Sequence, residues 1–151
     1  MNIKEKDIPE EELKPIRIFI HSYGGDLEQA TFFSDLLLSS RIPITTVAMG
    51  VAMSAGFLIF LAGSKRYAFP HTQMLVHAGS AKFQGTADQI DQAQKNYRKQ
   101  IDQMKTYILD RTDIDEKTFS KNKNKDWYLT PDELTKFNVV TDCIKDISIV
   151  F

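Results

Sequence analysis

The chain has 151 residues, a length that suits one domain built around a single hydrophobic core. Its formal net charge of −1 provides no strong field to attract nucleic acid or an anionic membrane. The single cysteine excludes an internal disulfide, and the three histidines lie too far apart in the sequence to favour a metal site. We therefore expect one domain over residues 1–151, with no metal, no nucleic-acid partner and no membrane contact.

Residues 1–15 form a polar lead-in that lacks the apolar segment of a secretory signal. The longest apolar stretch, residues 47–62, is interrupted by Gly50, Ser54 and Gly56 and is short for a membrane span. These features favour a cytoplasmic protein.

Five segments combine β-branched residues with alternating or continuous apolar runs, and we predict strands there. They cover residues 16–20, 42–49, 65–69, 73–77 and 139–144. Glycine and proline separate them: Gly24 and Gly25 follow the first strand, Gly50 is expected to end the second, and Pro70 precedes the fourth.

Apolar spacing and helix-start patterns predict four helices, and a further short helix fits the polar segment before residue 125. With their caps they cover residues 26–40, 52–61, 86–111, 115–120 and 130–137. Asp26, Thr86 and Thr130 are N-cap candidates, each followed three residues later by glutamine or glutamate, as in a capping box, and Asn138 is a candidate left-handed C-cap for the last helix. The alternation of strands and helices predicts an α/β domain with crossover connections.

The helix over residues 86–111 carries a narrow apolar stripe at spacings of three and four. Its members are Ile90, Ala93, Tyr97, Ile101, Met104 and Ile108. So narrow a stripe is closer to a coiled-coil seam than to a core-facing helix. We expect this helix to need a partner, such as another copy of the chain.

Residues 50–56, with the sequence GVAMSAG, place a serine between small residues where a strand runs into a helix. Small neighbours let a substrate carbonyl approach, and the start of a helix offers amide donors to an oxyanion. The pattern is similar to a nucleophile elbow, although the G-x-S-x-G spelling is absent. Taken alone, Ser54 is more simply explained by tight helix packing.

Two further residues would complete a catalytic triad with Ser54. His77 follows an apolar strand, and imidazole groups exchange protons near neutral pH. Asp126 stands where a lysine-rich loop meets aromatic residues, and a triad acid must be partly buried to accept from the histidine. Singly, a structural histidine and a solvated carboxylate are the simpler interpretations. His21 also follows a strand, but its neighbour Ser22 has the character of a turn residue.

Gly24 and Gly25, between a strand and a helix, can place backbone amides against a substrate. A phosphate-binding turn is the competing interpretation. It is weak, because neither G-x-G-x-x-G nor a G-K-[ST] ending is present.

The order of these motifs resembles the proteolytic-subunit (ClpP) family of the Clp protease, over residues 16–144. The matching segments are 18–25 for a strand and glycine turn, 50–56 for the nucleophile, 74–77 for the base, 83–85 for the start of the "handle", and 125–130 for the acid. The resemblance implies a ClpP/crotonase-like α/β fold of stacked β-β-α units, with a protruding handle region over residues 84–111. Several ordered motifs together outweigh the simpler interpretation of each one.

For the site, the resemblance implies Ser54 as nucleophile, His77 as base and Asp126 as the acid that orients the base. The backbone amides of Gly25 and Ala55 would form the oxyanion hole. An extended substrate would pair with two segments. Their residues are Gly24, Gly25, Asp26, Leu27, Ser80, Ala81, Lys82 and Phe83.

For the assembly, the resemblance implies a homo-oligomer of two stacked seven-membered rings that mesh through the handle helices and enclose the active sites. A partner AAA+ unfoldase would use ATP to feed polypeptide substrates into the chamber. No cofactor is implied in this chain itself.

The sequence also departs from the family pattern. Only about fifteen residues precede the first strand, so we expect a shortened N-terminus without the family's axial gate. Tyr23 stands in place of proline, and Ala78 with Gly79 in place of glutamine and proline. Asn124 and Lys125 stand in place of an acidic residue and arginine that link the rings, so we expect a weaker contact between rings.

Other functions remain as alternatives. An inactive ring subunit would keep the fold without the chemistry, and a phage head-maturation protease would share the chemistry with another partner. A crotonase-type acyl-CoA enzyme would hold an oxyanion with backbone amides but would not need the three side chains in one cluster. A Ser–Lys peptidase using Lys65 would leave His77 and Asp126 without a purpose.

Overall fold

The computed structural model describes residues 8–9 and 12–151, so residues 1–7 and 10–11 of the predicted lead-in lie outside the described residues. The strands are β1 Ile16–Ser22, β2 Ile44–Met53, β3 Lys65–Ala68, β4 Gln73–Val76, β5 Trp127–Leu129 and β6 Asp142–Cys143. The helices are α1 Leu27–Leu38, α2 Ala55–Leu61, α3 Ala87–Arg111, α4 Glu116–Asn122 and α5 Pro131–Lys136. A turn of 3-10 helix, Ile147–Val150, follows β6.

Strand β2 is the centre of the sheet. It pairs in parallel with β1 along one side, while on the other side its first half pairs with β3 and its last three residues pair with β4. Strand β6 extends the sheet beyond β3, and β5 pairs antiparallel with β4 at the opposite end. The expected α/β fold with parallel crossovers is therefore present.

Both faces of β2 are covered, which explains its nearly continuous apolar sequence. Ala48 belongs to the main core, together with residues from all five helices. Its neighbour Val47 points into a smaller cluster with Ile144 and Val150 from the C-terminal segment. Adjacent residues of one strand thus belong to different hydrophobic clusters.

The predicted end of β2 at Gly50 is wrong. The strand continues through Gly50 to Met53, so Ala52 and Met53 belong to the strand and α2 starts only at Ala55. Gly50 has φ +77°, and a Cβ there would lie 2.7 Å from the Nδ1 of His21. The glycine lies in an irregularity of the β1–β2 pairing, where three residues of β2 stand opposite one residue of β1, and the pairing resumes at Ala52.

Two other strand predictions need correction. Strand β5, Trp127–Leu129, was not predicted, because three residues are too few to show a period. The predicted strand over residues 139–144 is reduced to Asp142–Cys143, since its first residues instead complete the turn after α5. In that turn Asn138 has φ 51°, the left-handed conformation predicted for the residue ending this helix.

Helix α3 is anchored to its own domain through its C-terminal half. Met104 and Ile108 are buried in the main core. The Tyr107 hydroxyl donates to the carbonyl of Leu58 at 2.9 Å, and burial raises the pKa of this phenol, which keeps it protonated as a donor. The apolar stripe is thus divided: from Ile101 onward it packs against the main core, whereas Ile90 and Ala93 are not among the residues of that core.

Within the described part of the chain, no helix is both long enough and apolar enough to cross a membrane.

Candidate active site

Ser54 lies in a strained turn between β2 and α2. Its backbone has φ 53° and ψ −120°, a conformation that L-residues rarely adopt. Although Ser54 occupies the N-cap position of α2, its side chain makes no capping hydrogen bond. The strain therefore directs the hydroxyl away from the helix, as a nucleophile elbow does.

Gly24 makes this turn sterically feasible. A Cβ at Gly24 would lie 2.7 Å from the Cβ of Ser54, 2.9 Å from the carbonyl of Met53 and 3.2 Å from the amide nitrogen of Ala55. The backbone after β1 therefore approaches the Ser54 turn more closely than any side chain would allow. Gly25 is the next residue in the chain, and a Cβ at this position would meet no atom within 4 Å.

His77 lies directly beside Ser54. The parallel pairing of β2 and β4 aligns Met53 with Leu75, so His77 follows the end of β4 next to the serine. The Nε2 of His77 is 2.7 Å from the Oγ of Ser54, a hydrogen-bond distance. An imidazole at this distance can take the hydroxyl proton, which the activation of a serine nucleophile requires.

The missed strand β5 is what positions Asp126. In its antiparallel pairing with β4, Trp127 lies opposite Val76, so Asp126 is brought opposite His77. The Oδ1 of Asp126 is 3.4 Å from the Nδ1 of His77. This contact is longer than a normal hydrogen bond and becomes an ion pair only when the imidazole is protonated, and contacts of this kind often tighten only when substrate binds.

Asp126 is more exposed than a triad acid was expected to be. Its side chain is 63% exposed, compared with 31% for His77. The reason is topological, because β5 is the outermost strand at its end of the sheet. The buried ring of Trp127 packs edge-on against Phe137 and holds this edge strand in place.

A cavity of about 460 Å³ lies beside Ser54 and His77. Six of the residues predicted for the oxyanion hole or for substrate binding line it: Gly25, Asp26, Leu27, Ala55, Ser80 and Ala81. Three predicted residues do not line it: Gly24, Lys82 and Phe83. Gly24 lies behind the cavity against the Ser54 turn, whereas the ring of Phe83 packs edge-on against Tyr97.

Sequence reasoning missed several residues of the cavity wall. They are Glu28, Leu58, Ala78, Gly79, Tyr97, Gln100 and Met104. Tyr97 and Met104 were recognised only as members of the apolar stripe. Nothing in their spacing indicated that α3 would lie along the site.

Helix α3 also holds the segment that follows His77. The hydroxyl of Tyr97 donates a hydrogen bond to the carbonyl of Ala78 at 3.0 Å. The residue after the histidine is thus tied to the helix that forms one wall of the cavity. His21, in contrast, lies away from Ser54, with its Nδ1 2.8 Å from the carbonyl of Met49.

A metal centre finds no support in the described residues, where no group of three or more histidine, cysteine, aspartate or glutamate side chains is arranged to hold a metal ion. The arrangement can carry out acyl transfer, because a hydroxyl lies beside an imidazole, a carboxylate lies behind that imidazole, and a cavity adjoins the hydroxyl.

Comparison with known proteins identifies relatives. The family model described as Clp protease matches residues 8–146. The ATP-dependent Clp protease proteolytic subunit of Deinococcus radiodurans is 27% identical over 138 residues, which cover 90% of this chain and 66% of that protein. The ATP-dependent Clp protease proteolytic subunit 2 of Treponema denticola is 30% identical over 135 residues, covering 88% and 68%. The chain thus spans about two thirds of the length of these relatives.

The fold agrees with a solved structure. A ClpP1 mutant from Listeria monocytogenes superposes with a TM-score of 0.80 at 24% sequence identity, covering 91% of this chain and 77% of that one. The ClpP-type α/β fold predicted from the motifs is therefore confirmed. The family match extends over most of the chain, and the curated relatives are named as proteolytic subunits. The chain accordingly belongs to the Clp protease family, a family of serine peptidases.

Proposed function

We propose that the chain is a serine endopeptidase that cleaves unfolded polypeptides or short peptides through Ser54, His77 and Asp126. The observation that carries this proposal is the 2.7 Å contact between the Nε2 of His77 and the Oγ of Ser54. The hydroxyl lies in a strained turn and is not used for helix capping. A serine selected only for packing would need neither feature.

In the proposed acylation step, the Oγ of Ser54 forms a bond to the carbonyl carbon while its proton passes to the Nε2 of His77. The amides of Gly25 and Ala55 stabilise the oxyanion. The imidazolium then donates the proton to the leaving nitrogen as the C–N bond breaks. Asp126 stabilises the imidazolium through Nδ1 and keeps the ring oriented.

In the deacylation step, His77 takes a proton from water, and the hydroxide attacks the ester carbonyl of the acyl-enzyme. Collapse of the second oxyanion breaks the bond to Oγ, which recovers its proton from the imidazolium. The products are a carboxylic acid, an amine and the original enzyme. The chain's own residues thus supply every proton transfer.

The substrate would lie extended between two backbone segments. One is the turn at Gly24, Gly25, Asp26 and Leu27, and the other is the segment Ser80, Ala81, Lys82 and Phe83, which follows His77. Strand addition of this kind provides affinity that does not depend on sequence, as an enzyme for unfolded chains requires. The cavity beside Ser54 would receive the side chain that precedes the scissile bond.

For the assembly, we propose a homo-oligomer of heptameric rings stacked in pairs, which encloses the sites, with an AAA+ unfoldase as partner. The names of the relatives, which are ATP-dependent proteolytic subunits, support a coupling to ATP. ATP would be used by the unfoldase. The surface that would mesh between copies is the part of α3 around Ile90 and Ala93, which lies outside the main core.

The competing chemistries are less well supported. Lys65 pairs with Thr45, nine residues before Ser54 along β2 and so about 30 Å away at about 3.3 Å per residue, which excludes a Ser–Lys mechanism using it. A crotonase-type enzyme would not require the three side chains in one cluster. An inactive ring subunit would share the fold but lack the chemistry. A phage head-maturation protease would share both the fold and the chemistry and would act with a different partner.

A fluorophosphonate probe followed by mass mapping tests the proposal. We expect the label on Ser54 in the wild-type chain, its loss in Ser54→Ala, and much slower labelling in His77→Ala. An active site would also hydrolyse a denatured polypeptide. Absence of label from Ser54 at high probe concentration would overturn the proposed function.

A further inference from the structure

The cavity beside Ser54 has a distinct charge. Among the residues that the structure describes, two carboxylate side chains, Asp26 and Glu28, line it, and no lysine or arginine does. Lys82, next in the chain to the lining residue Ala81, is exposed and outside the lining. With His77 neutral, the carboxylates are the charged groups in this part of the wall, and they favour a cationic ligand group over an anionic one.

Glu28 is held in the cavity wall by a contact between helices. Its Oε1 accepts a hydrogen bond from the Nε2 of Gln100 at 2.8 Å, which joins the first turn of α1 to α3. Acids in a first helical turn are common because they complement the helix dipole. That explanation does not account for the partner on α3, which lies 72 residues away in the sequence.

No lysine or arginine within the described ranges forms an ion pair with Glu28. One carboxylate oxygen is used by Gln100, so the second remains to receive a donor from a ligand. Asp26 also contributes negative charge, but its Oδ1 already accepts a hydrogen bond from the backbone amide of Gln29 at 3.0 Å, which caps α1. Glu28 is therefore the better placed of the two acids to recognise a ligand.

The cavity also has an apolar part. Leu27, Leu58 and Met104 line it together with the carboxylates. Glu28 and Gln100 line a second, adjoining cavity of about 270 Å³, so the pair forms a boundary between the two spaces. A side chain with a long apolar stem and a cationic end fits this combination, because the stem covers the apolar residues and the end reaches the carboxylate.

We propose that the cavity selects lysine or arginine at the residue whose carbonyl Ser54 attacks, and that Glu28 is the specificity-determining residue. This inference rests on the proposed peptidase function and names its substrate class. The ion pair between Glu28 and the substrate's cationic group forms at a solvent-accessible site. Such pairs contribute up to about 1 kcal/mol, which corresponds to a preference of about fivefold over an uncharged side chain. The selectivity is therefore moderate and salt-dependent.

Peptidyl phosphonate probes that differ only in this residue test the inference. The three side chains to compare are lysine, norleucine, which has a similar stem without the charge, and glutamate. The rate of covalent labelling at Ser54, mapped by mass spectrometry, measures selectivity without requiring turnover. We expect the lysine probe to react about fivefold faster than norleucine, and glutamate to be slowest. The differences in labelling rate among the three probes should become smaller in high salt.

Variants at Glu28 make the test specific. In Glu28→Gln the ratio of lysine to norleucine rates should fall to about one, and in Glu28→Lys the glutamate probe should overtake the lysine probe. Asp132→Asn, an exposed acid on α5 outside the cavity, is the matched control and should keep the wild-type ratio. Circular dichroism of each variant verifies that it is folded.

Two failures are distinguishable. In the first, Ser54 is labelled, but the lysine and norleucine probes react equally in the wild type or Glu28→Gln keeps the preference for lysine. That result overturns the inference about Glu28 and leaves the peptidase proposal standing. If no phosphonate or fluorophosphonate labels Ser54, both are overturned.

Discussion

The backbone amide of Ser54 donates a hydrogen bond of 2.9 Å to the carbonyl of Leu75. This bond continues the pairing of β2 with β4 one residue beyond Met53, into the strained turn. Because His77 is only two residues beyond Leu75, the separation of serine and histidine is set by strand pairing and not by loops. A site built on rigid elements keeps its geometry without substrate.

Gly24→Ala should damage the site without touching a catalytic side chain. Gly24 has φ +112°, and the added methyl would collide with Ser54 and Met53. The backbone conformation alone costs a non-glycine residue about 1–3 kcal/mol. We expect slower labelling of Ser54 and a melting temperature lower by about 2–4 °C per kcal/mol. Gly25→Ala, whose methyl would meet open space, should cost less stability, and equal losses would contradict this account.

Tyr97→Phe tests whether α3 positions the segment after His77. The variant keeps the ring contact with Phe83 and removes only the hydroxyl that donates to Ala78. One hydrogen bond contributes about 0.5–1.5 kcal/mol, so we expect a small change in melting temperature with a several-fold slower labelling of Ser54. Tyr67→Phe, on β3, is the control. A loss of stability with an unchanged labelling rate would indicate a purely structural hydroxyl.

The sequence predicted the parts of the fold that depend on local signals. The caps at Thr86 and Thr130 and the left-handed Asn138 are present as predicted, because capping is decided within one turn of a helix. The three candidate catalytic residues were also found from sequence, through the resemblance of ordered motifs. Singly, neither His77 nor Asp126 would have been chosen.

What the sequence could not predict depends on contacts between distant segments. Strand β5 exists because Trp127 can pair with Val76, a choice that no three-residue pattern reveals. The extension of β2 through Gly50 depends on an irregularity in its pairing with β1, in which residues 49–51 of β2 stand opposite His21. The contact of Glu28 with Gln100 requires knowing that α3 crosses α1, which only the packed structure provides.

The division of the α3 stripe changes which residue best tests the assembly. Ile101 packs against the domain's own core, so a charge there would disturb the fold as well as a contact between copies. Ile90, half-buried near the start of α3, is the better choice. Ile90→Glu would bury a charge in the seam, at a cost of several kcal/mol.

We expect Ile90→Glu to lose the double-ring form in sedimentation while keeping the far-ultraviolet circular dichroism of the wild type. Gln92→Glu introduces the same charge at an exposed position of α3 and should sediment as the wild type does. Raising salt should weaken the assembly little if apolar burial holds it. A wild-type chain that is monomeric at high concentration would contradict the proposed assembly.

We expect the folding stability of the protein to depend on pH through Asp115, the N-cap residue of α4. The pKa of Asp115 lies below its usual value, mainly because the carboxylate accepts from the backbone amide of Thr118 at 2.6 Å. Since the folded pKa is lower than the unfolded one, the stabilisation is present above about pH 4 and is lost as pH falls through the folded pKa. Asp115→Ala should therefore lower the melting temperature at pH 7, and the difference from wild type should shrink in acid. Asp115→Asn keeps a cap and should lose less at pH 7.

The most direct measurement of the central claim is the rate of peptide hydrolysis by wild type, Ser54→Ala, His77→Ala and the double variant. If the two residues act as one unit, each single variant should lower kcat by roughly 10⁴–10⁶-fold, and the double variant should be little worse than either. Undiminished hydrolysis by Ser54→Ala, or losses that multiply in the double variant, would contradict a mechanism in which His77 activates Ser54.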